Sequence, residues 1–332
     1  MSKASPKTSG SKKGAIKSRK PSSDRRSGEA FATSFQRVLD TLLSDVKQHS
    51  SDLPPEEVER FTAKLQALWN YTPSAAIFGQ TGSGKSSLCN ALFGDHVCNI
   101  SAVEACTRTP QEIRLEVGKE GILLVDMPGV GESRELDEQY GVLYQEVLSR
   151  SDLVLWLLKA DARAYASDLH VWNLVAPAIK KARIPYLFVL SQAEKIEPAG
   201  EWNGAKNEPG HTQMGNILLK RKSVARDFGV PILRIIPVSS TTGYNLQKLV
   251  YEVILALPDE KKSAVLKLTQ KGVQSESADR VARKGFFRAL WEGTKRTCKK
   301  IYGFAKENKE WLIPLADILI AIVSRGKVRR RR

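Results

Sequence analysis

Between residue 74 and about residue 257 the chain alternates short apolar runs with amphipathic stretches. Runs of strand length lie at 75–79, 113–117, 122–126, 153–158, 185–190 and 232–238. Between them, apolar residues recur at helical spacing over 85–93, 134–149, 167–182, 212–227 and 245–256. Near-continuous apolar runs describe strands buried on both faces, and strand–helix alternation joins parallel neighbours through crossover helices. The expected class is therefore α/β, a mostly parallel sheet with helices on both faces. Helical extensions flank it at each end.

On the N-terminal side, Phe35, Val38, Leu39, Leu42, Leu43 and Val46 recur at helical spacing. Pro54, Pro55, Glu56 and Glu57 then open a second helix, with proline at its start and acids in its first turn. Its apolar face is Val58, Phe61, Leu65, Leu68 and Trp69, which predicts an antiparallel helical hairpin over 31–70. The α/β domain then occupies 71–258, and 259–332 reads as basic and helical, without further strands. Within that last segment Phe286, Phe287, Leu290, Trp291, Ile301 and Tyr302 share one side of a helix, with Lys284, Arg288, Lys295, Arg296, Lys299 and Lys300 largely elsewhere. Such a helix lies on an anionic membrane or an RNA, or, more commonly, packs its apolar stripe on its own domain. Residues 311–323 would make a helix of about 20 Å, short of a hydrocarbon core of about 30 Å.

Charge changes the picture of the ends more than that of the middle. The net charge is +16 in 332 residues. Residues 1–28 hold nine Lys/Arg against one acid, and 325–332 hold six with none, so the two tails carry +14 of that total. Residues 1–30 have the Ser/Lys/Gly/Pro composition of a disordered basic tail, and the chain ends in an Arg-rich one. Tails of this kind attract any polyanion, whether ribosomal or other RNA, DNA or anionic lipid headgroups, alike. Cys89, Cys98, Cys106 and Cys298 follow no metal-ligand spacing, and no secretory leader is visible, which points to a reducing cytoplasm.

The chemistry concentrates at Gly79, Gln80, Thr81, Gly82, Ser83, Gly84, Lys85 and Ser86, which fit G-x-x-x-x-G-K-[ST] between an apolar run and a helix. Glycines let backbone N–H groups turn inward around phosphate oxygens, and the helix N-terminus adds partial positive charge. Lys85 is placed to reach the β- and γ-phosphates, the Ser86 hydroxyl to bind Mg²⁺, and Ser87 continues the phosphate-binding turn. About forty residues on, Asp126, Met127, Pro128 and Gly129 end an apolar run. An acid there can hold Mg²⁺ through water, and the Gly129 amide can meet the γ-phosphate. Between the two motifs, Thr107 is the first choice to complete the metal shell and Thr109 the second.

This order of motifs, with a base-reading stretch after a later strand, resembles the Era-like branch of the translation-factor-related GTPases. Within that branch it resembles the YfjP/YeeP type carried by prophages. The resemblance spans about 34–258 and includes Val189 to Pro198 with Glu201 and Trp202. It implies a P-loop GTPase G domain, GTP or GDP with Mg²⁺ as ligands, and RNA or ribosome association. The general guanine motif Asn-Lys-x-Asp is replaced here by Ser191, Gln192, Ala193 and Glu194. Glu194 keeps a carboxylate one methylene further out, while Ser191 and Gln192 are expected to brace the phosphate loop only weakly. Ser239 and Ser240 match the final G-domain motif, whose backbone meets the guanine O6.

Hydrolysis also departs from the pattern. Val130 follows Gly129 where a glutamine would orient water, and Gly82 stands where cation-activated relatives carry asparagine. Lys85 and Thr107 remain the candidate catalytic residues, and turnover is expected at about 10⁻⁴ to 10⁻² s⁻¹. Arg108 and Arg134 flank the two switch loops as candidate fingers in a homodimer formed through the G domain. The expectation is a slow GTPase switch in the cytoplasm. Two alternatives stand beside it: a nucleotide-gated RNA or ribosome binder with little hydrolysis, and a peripherally membrane-associated GTPase.

Overall fold

A computed structural model of the chain describes residues 35–44, 54–94, 111–117, 120–126, 141–292, 294–295 and 297. A helix over 35–44 (α1) and a second at Pro55–Trp69 (α2) lead to the first strand. Pro55 sits in the first turn of α2, where a missing N–H breaks no helical bond, and Glu56 and Glu57 face the positive end of the dipole. The order then runs β1 (Ser74–Phe78), α3 (Lys85–Phe93), β2 (Gln111–Val117), β3 (Glu120–Asp126), α4 (Gly141–Arg150), β4 (Leu153–Lys159) and α5 (Ala166–Ala182). It continues through β5 (Tyr186–Ser191), α6 (His211–Phe228), β6 (Ile235–Pro237), α7 (Leu246–Ala256), α8 (Lys262–Leu268) and α9 (Glu276–Trp291).

The strands form one sheet in the order β2-β3-β1-β4-β5-β6. All described neighbours are parallel except β2 and β3. Only two residues separate that pair, too few for a crossover, so it closes as an antiparallel ribbon. The apolar run at 232–238 yields a shorter strand than its length suggests. Its first half forms a 3₁₀ turn, Ile232–Arg234, in which Leu233 is exposed and Arg234 lies over the Tyr186 ring. The first residues of the helix expected over 134–149 lie outside the described residues.

Side-chain alternation along the inner strands builds two cores. Ala75, Ile77, Leu153, Leu155, Leu157, Leu187 and Val189 point to one face and pack with α3, α7 and α8. Ala76, Phe78, Val154, Trp156, Leu158, Phe188 and Leu190 point to the other and pack with α4, α5 and α6. This is why the strands read as unbroken apolar runs: each parallel strand is roofed by helices on both sides.

A third cluster joins the two ends of the chain. Phe35, Leu39 and Leu42 of α1, and Phe61, Leu65 and Leu68 of α2, pack with Phe286, Phe287 and Leu290 of α9. The apolar stripe of α9 therefore lies on its own chain, the commoner of the outcomes for a basic amphipathic helix. Its start is set by Ser275, whose hydroxyl accepts the Ala278 N–H at 3.2 Å. Arg288 and Lys262 both pair with Asp259, tying α9 to the start of α8.

Candidate functional site

The described parallel strands end at one edge of the sheet, and the loops leaving those carboxyl ends form the site. β1 delivers the chain into Gly79, which has φ +146° and no room for a side chain. A Cβ there would lie 2.5 Å from the Leu157 carbonyl oxygen of β4 and 2.8 Å from Ser83 Oγ. Gly82 and Gly84 also carry positive φ, and Gly84 is the residue from which α3 starts. At Gly82 an added Cβ would meet nothing within 4 Å, so the outer curve of the loop stays open. Lys85 folds back over the loop, with Nζ donating to the Gly79 carbonyl at 2.8 Å and the Gln80 carbonyl at 3.4 Å. Thr81 and Ser87 are exposed, Ser86 is half-buried, and Ser83 is buried.

The end of β5 braces this loop from the side. The Ser191 hydroxyl donates to the Ser83 carbonyl at 2.5 Å, and the Gln192 amide donates to the Gly82 carbonyl at 3.0 Å. Lys195 Nζ fixes Gln192 in turn, at 2.8 Å from Oε1. Both residues were expected to brace the loop only weakly, yet each makes a direct bond to it. Glu194 follows in the 3₁₀ turn Ala193–Lys195, and its Oε2 is buried with no hydrogen-bond partner among the described residues. The Ala193 N–H donates to the Val238 carbonyl at 3.0 Å, which holds the turn beside Ser239 and Ser240. Ser239 is fully buried, and its hydroxyl accepts the Thr242 N–H at 3.1 Å.

A lattice of side chains holds the Glu194 turn. Gln213, fully buried in the first turn of α6, donates from Nε2 to the Glu194 carbonyl at 3.1 Å and the Ile196 carbonyl at 2.8 Å. Asn216 reaches the Glu197 carbonyl at 2.8 Å. The Glu201 carboxylate accepts the N–H groups of Thr212 and Gln213, which caps α6, and the Thr212 side chain together with these N–H groups holds the acid below its usual range. Gly210 is required there, because a Cβ would lie 2.4 Å from the Glu201 Cβ. Trp202 meets Tyr244 edge to face at 5.2 Å, and Asn207 donates to the Thr242 carbonyl, so the segment also reaches the loop after β6.

On the other flank lies Asp168, in the first turn of α5 and 2% exposed. Its Oδ2 accepts from the Gln80 amide at 2.8 Å and its Oδ1 from the Trp156 indole at 3.2 Å. Burial pushes this carboxyl up to about 6, against the two hydrogen bonds and the charge of Lys85, which act downward.

Residues 74–192, which run from β1 through the phosphate loop to Gln192, match the family model described as 50S ribosome-binding GTPase. YfjP of Escherichia coli (strain K12) is 38% identical over 245 residues, which are 74% of this chain and 83% of that protein. The chain belongs to the P-loop GTPases of the YfjP type. YkfA of the same strain is 37% identical over 74% of this chain and 83% of its own length. Among solved structures, Aquifex aeolicus Era Y63A bound to GDP·AlF₄⁻ aligns at a TM-score of 0.40 and 24% identity, covering 56% of this chain and 57% of that one.

In this P-loop GTPase the structure brings together Gly79 to Ser87, Ser191, Gln192, Glu194, Ser239 and Ser240. Asp126 joins them through the backbone: it ends β3 in register with Ile77, one residue before the end of β1. Thr107 and Thr109, Gly129, and the candidate fingers Arg108 and Arg134 lie outside the described residues. Among the described residues no group of three or more His, Cys, Asp or Glu side chains could hold a metal ion. Two residues escaped the sequence reading although a signal was present. Asp168 precedes Val171, Trp172 and Val175, and Gln213 precedes Ile217, at the three- and four-residue spacings of a buried helical face. A polar residue on such a face needs a partner, and here the partners include Gln80 of the phosphate loop and the carbonyls of Glu194 and Ile196.

Proposed function

We propose that this chain binds GTP and GDP with Mg²⁺, hydrolyses GTP slowly, and works as a nucleotide-dependent switch. The observation that carries the reading is the Glu194 carboxylate. Its Oε2 is buried without a partner among the described residues, in a turn directly preceded by Ser191 and Gln192, which grip the phosphate loop. A carboxylate left so is matched by two donors on one edge of a ligand, and the guanine N1–H and amino group are such a pair. The backbone amides of Gly79 to Ser87 surround the phosphates, and Lys85 spans the β- and γ-phosphates from its place over the loop. Backbone at Ser239 and Ser240 meets the far side of the base. Ser86, Asp126 and Thr107 would hold Mg²⁺, which screens the charge developing between the β- and γ-phosphates. Thr107 with its neighbours, and the Gly129 region, are the proposed switches.

Calorimetry with GTP, GDP and ATP, each with and without Mg²⁺, tests the proposal. GTP and GDP should bind, ATP should bind far more weakly because adenine leaves the carboxylate unpaired, and Lys85→Ala should lose both guanine nucleotides. Unchanged GTP binding by Lys85→Ala would remove the phosphate-loop assignment. Equal affinity for GTP and ATP would remove the base assignment alone.

A second reading follows from the charge. The tails at 1–28 and 325–332 carry +14, and the matched family model is described as ribosome-binding. A ribosomal or other RNA partner held through the tails would release counterions. Binding should then weaken by orders of magnitude between about 50 and 200 mM salt if six to ten phosphates are engaged. Co-sedimentation of full-length and tail-deleted protein with ribosomes and with anionic vesicles separates RNA from lipid. Superimposed salt curves for the two proteins would clear the tails of any role. Among the described residues no helix is long and apolar enough to cross a membrane.

A further inference from the structure

Gln80 is the second residue of the phosphate loop, and it is held from two directions. Its carbonyl lies 3.4 Å from Lys85 Nζ, the group that also binds the Gly79 carbonyl. Its side-chain amide runs the opposite way, out of the loop and into the second core, where it donates to Asp168 at 2.8 Å. Asp168 cannot yield in response. It is 2% exposed, its other oxygen takes the Trp156 indole N–H, and Trp156 is stacked on Phe78, the last residue of β1. Chain, carboxylate and indole thus close a ring that starts and ends at the entry to the phosphate loop.

We infer that Asp168 is a positioning residue for nucleotide binding: through Gln80 it fixes the first half of the phosphate loop, as Ser191 and Gln192 fix the second half. The inference deepens the nucleotide-binding reading and rests on it. The physical reason is preorganisation. The amides that meet phosphate sit in a loop with positive φ at Gly79, Gly82 and Gly84, and glycine-rich backbone left untethered samples many conformations. Each tether removes part of that freedom before the ligand arrives, so less ordering is charged against binding. A carboxylate placed beside an anion site opposes the ligand by charge, so a role in direct phosphate contact is the wrong one for it. Its two hydrogen bonds go to protein donors, the Gln80 amide and the Trp156 indole, as a support requires.

The test is a mutant cycle read in nucleotide affinity. Gln80→Met keeps the length of the side chain and removes the donor; Asp168→Ala removes both acceptors; Asp168→Asn keeps one oxygen, which can meet Gln80 only by turning its amide N–H₂ toward the Trp156 indole N–H. GDP affinity is measured by calorimetry for wild type, the three single variants and the Gln80→Met/Asp168→Ala double variant, beside thermal unfolding without nucleotide. The expected result is a loss of about tenfold or more in Gln80→Met and in Asp168→Ala. The double variant should be no weaker than the worse single, and Asp168→Asn, which keeps one of the two acceptors, should fall between Asp168→Ala and wild type. Full additivity, or Gln80→Met binding within about threefold of wild type, would overturn the inference. Should Asp168→Ala fail to fold, Gln80→Met and Asp168→Asn still decide it. Wild type that binds no GDP would instead strike the nucleotide reading itself, which makes the two failures distinguishable.

Discussion

A buried carboxylate is costly, and two acids here meet that cost differently. Glu194 is matched by a ligand in the proposed function, so its removal should act on recognition and hardly on folding. Glu194→Ala should lower the GTP-over-ATP preference by about tenfold or more while the affinity for pyrophosphate or triphosphate alone is kept. Competition between labelled GTP and cold ATP measures it, and an unchanged ratio would exclude Glu194 as the base reader. Asp168 is matched inside the protein, and its cost appears as a displaced titration. Burial raises its carboxyl from 3.8 to about 6 against hydrogen bonds from Trp156 and Gln80 and the charge of Lys85. Because the folded value exceeds the unfolded one, folding favours the protonated form. That stabilisation is complete below about pH 3.8 and is lost as pH rises through about 6. The shift corresponds to at most about 3 kcal/mol. Asp168→Asn cannot titrate, so wild type should gain on the variant as pH falls from about 7 to about 4. Denaturant unfolding across that range checks it; a constant difference between the two proteins would show that Asp168 keeps its charge throughout.

Among the elements, α6 has the least obvious purpose in the sequence and a clear one in the structure. Its first turn is capped by Glu201 from outside the helix, and from that turn Gln213 holds the main chain on both sides of Lys195. Gln213→Leu would leave the Glu194 and Ile196 carbonyls unpartnered where they are buried, a loss of about 1–3 kcal/mol. The same change should erode the GTP-over-ATP preference, because the Glu194 turn loses its support, while Gln80 and the phosphate loop are untouched. Urea unfolding paired with nucleotide competition reads both effects. A stability loss with an intact preference would make Gln213 a packing residue only. The strands show how much of an element periodicity can foresee. β4 and β5 form where continuous apolar runs predict them, whereas the run at 232–238 splits because Leu233 faces solvent and Arg234 stacks on Tyr186.

For the molecule as a whole, the third cluster decides whether the helical ends belong to the G domain. Phe286 is fully buried, within 5.2 Å of the Phe35 ring and 5.6 Å of Phe287. Phe286→Ala should cost about 3–5 kcal/mol of stability, because it opens a cavity where α1, α2 and α9 meet. GDP affinity of the folded protein should stay within about threefold, since this cluster does not touch the nucleotide loops. A loss below about 1 kcal/mol in denaturant unfolding would show that the helical ends are held independently of α9. Asp152 adds a polar joint to the same junction: it accepts from Tyr71, from the Ser74 N–H and from Lys261, and so links the entry to β1 with the start of α8.

The sequence by itself determined the class, the strands and the phosphate loop. These depend on local physics: the period of apolar side chains, and the glycine and lysine positions that a turn around phosphate demands. The family resemblance pointed to Ser191, Gln192 and Glu194 as the proposed base-reading stretch. Only the tertiary structure decided what those residues touch. The grip of Ser191 and Gln192 on the Ser83 and Gly82 carbonyls, and the link from Gln80 to Asp168, join residues 88 to 110 positions apart. The same holds for the packing of α9 on α1 and α2, where a helical stripe states that it will be covered but not by what. Periodicity records that a side chain is buried; the identity of its partner depends on which loops the sheet order brings to one edge.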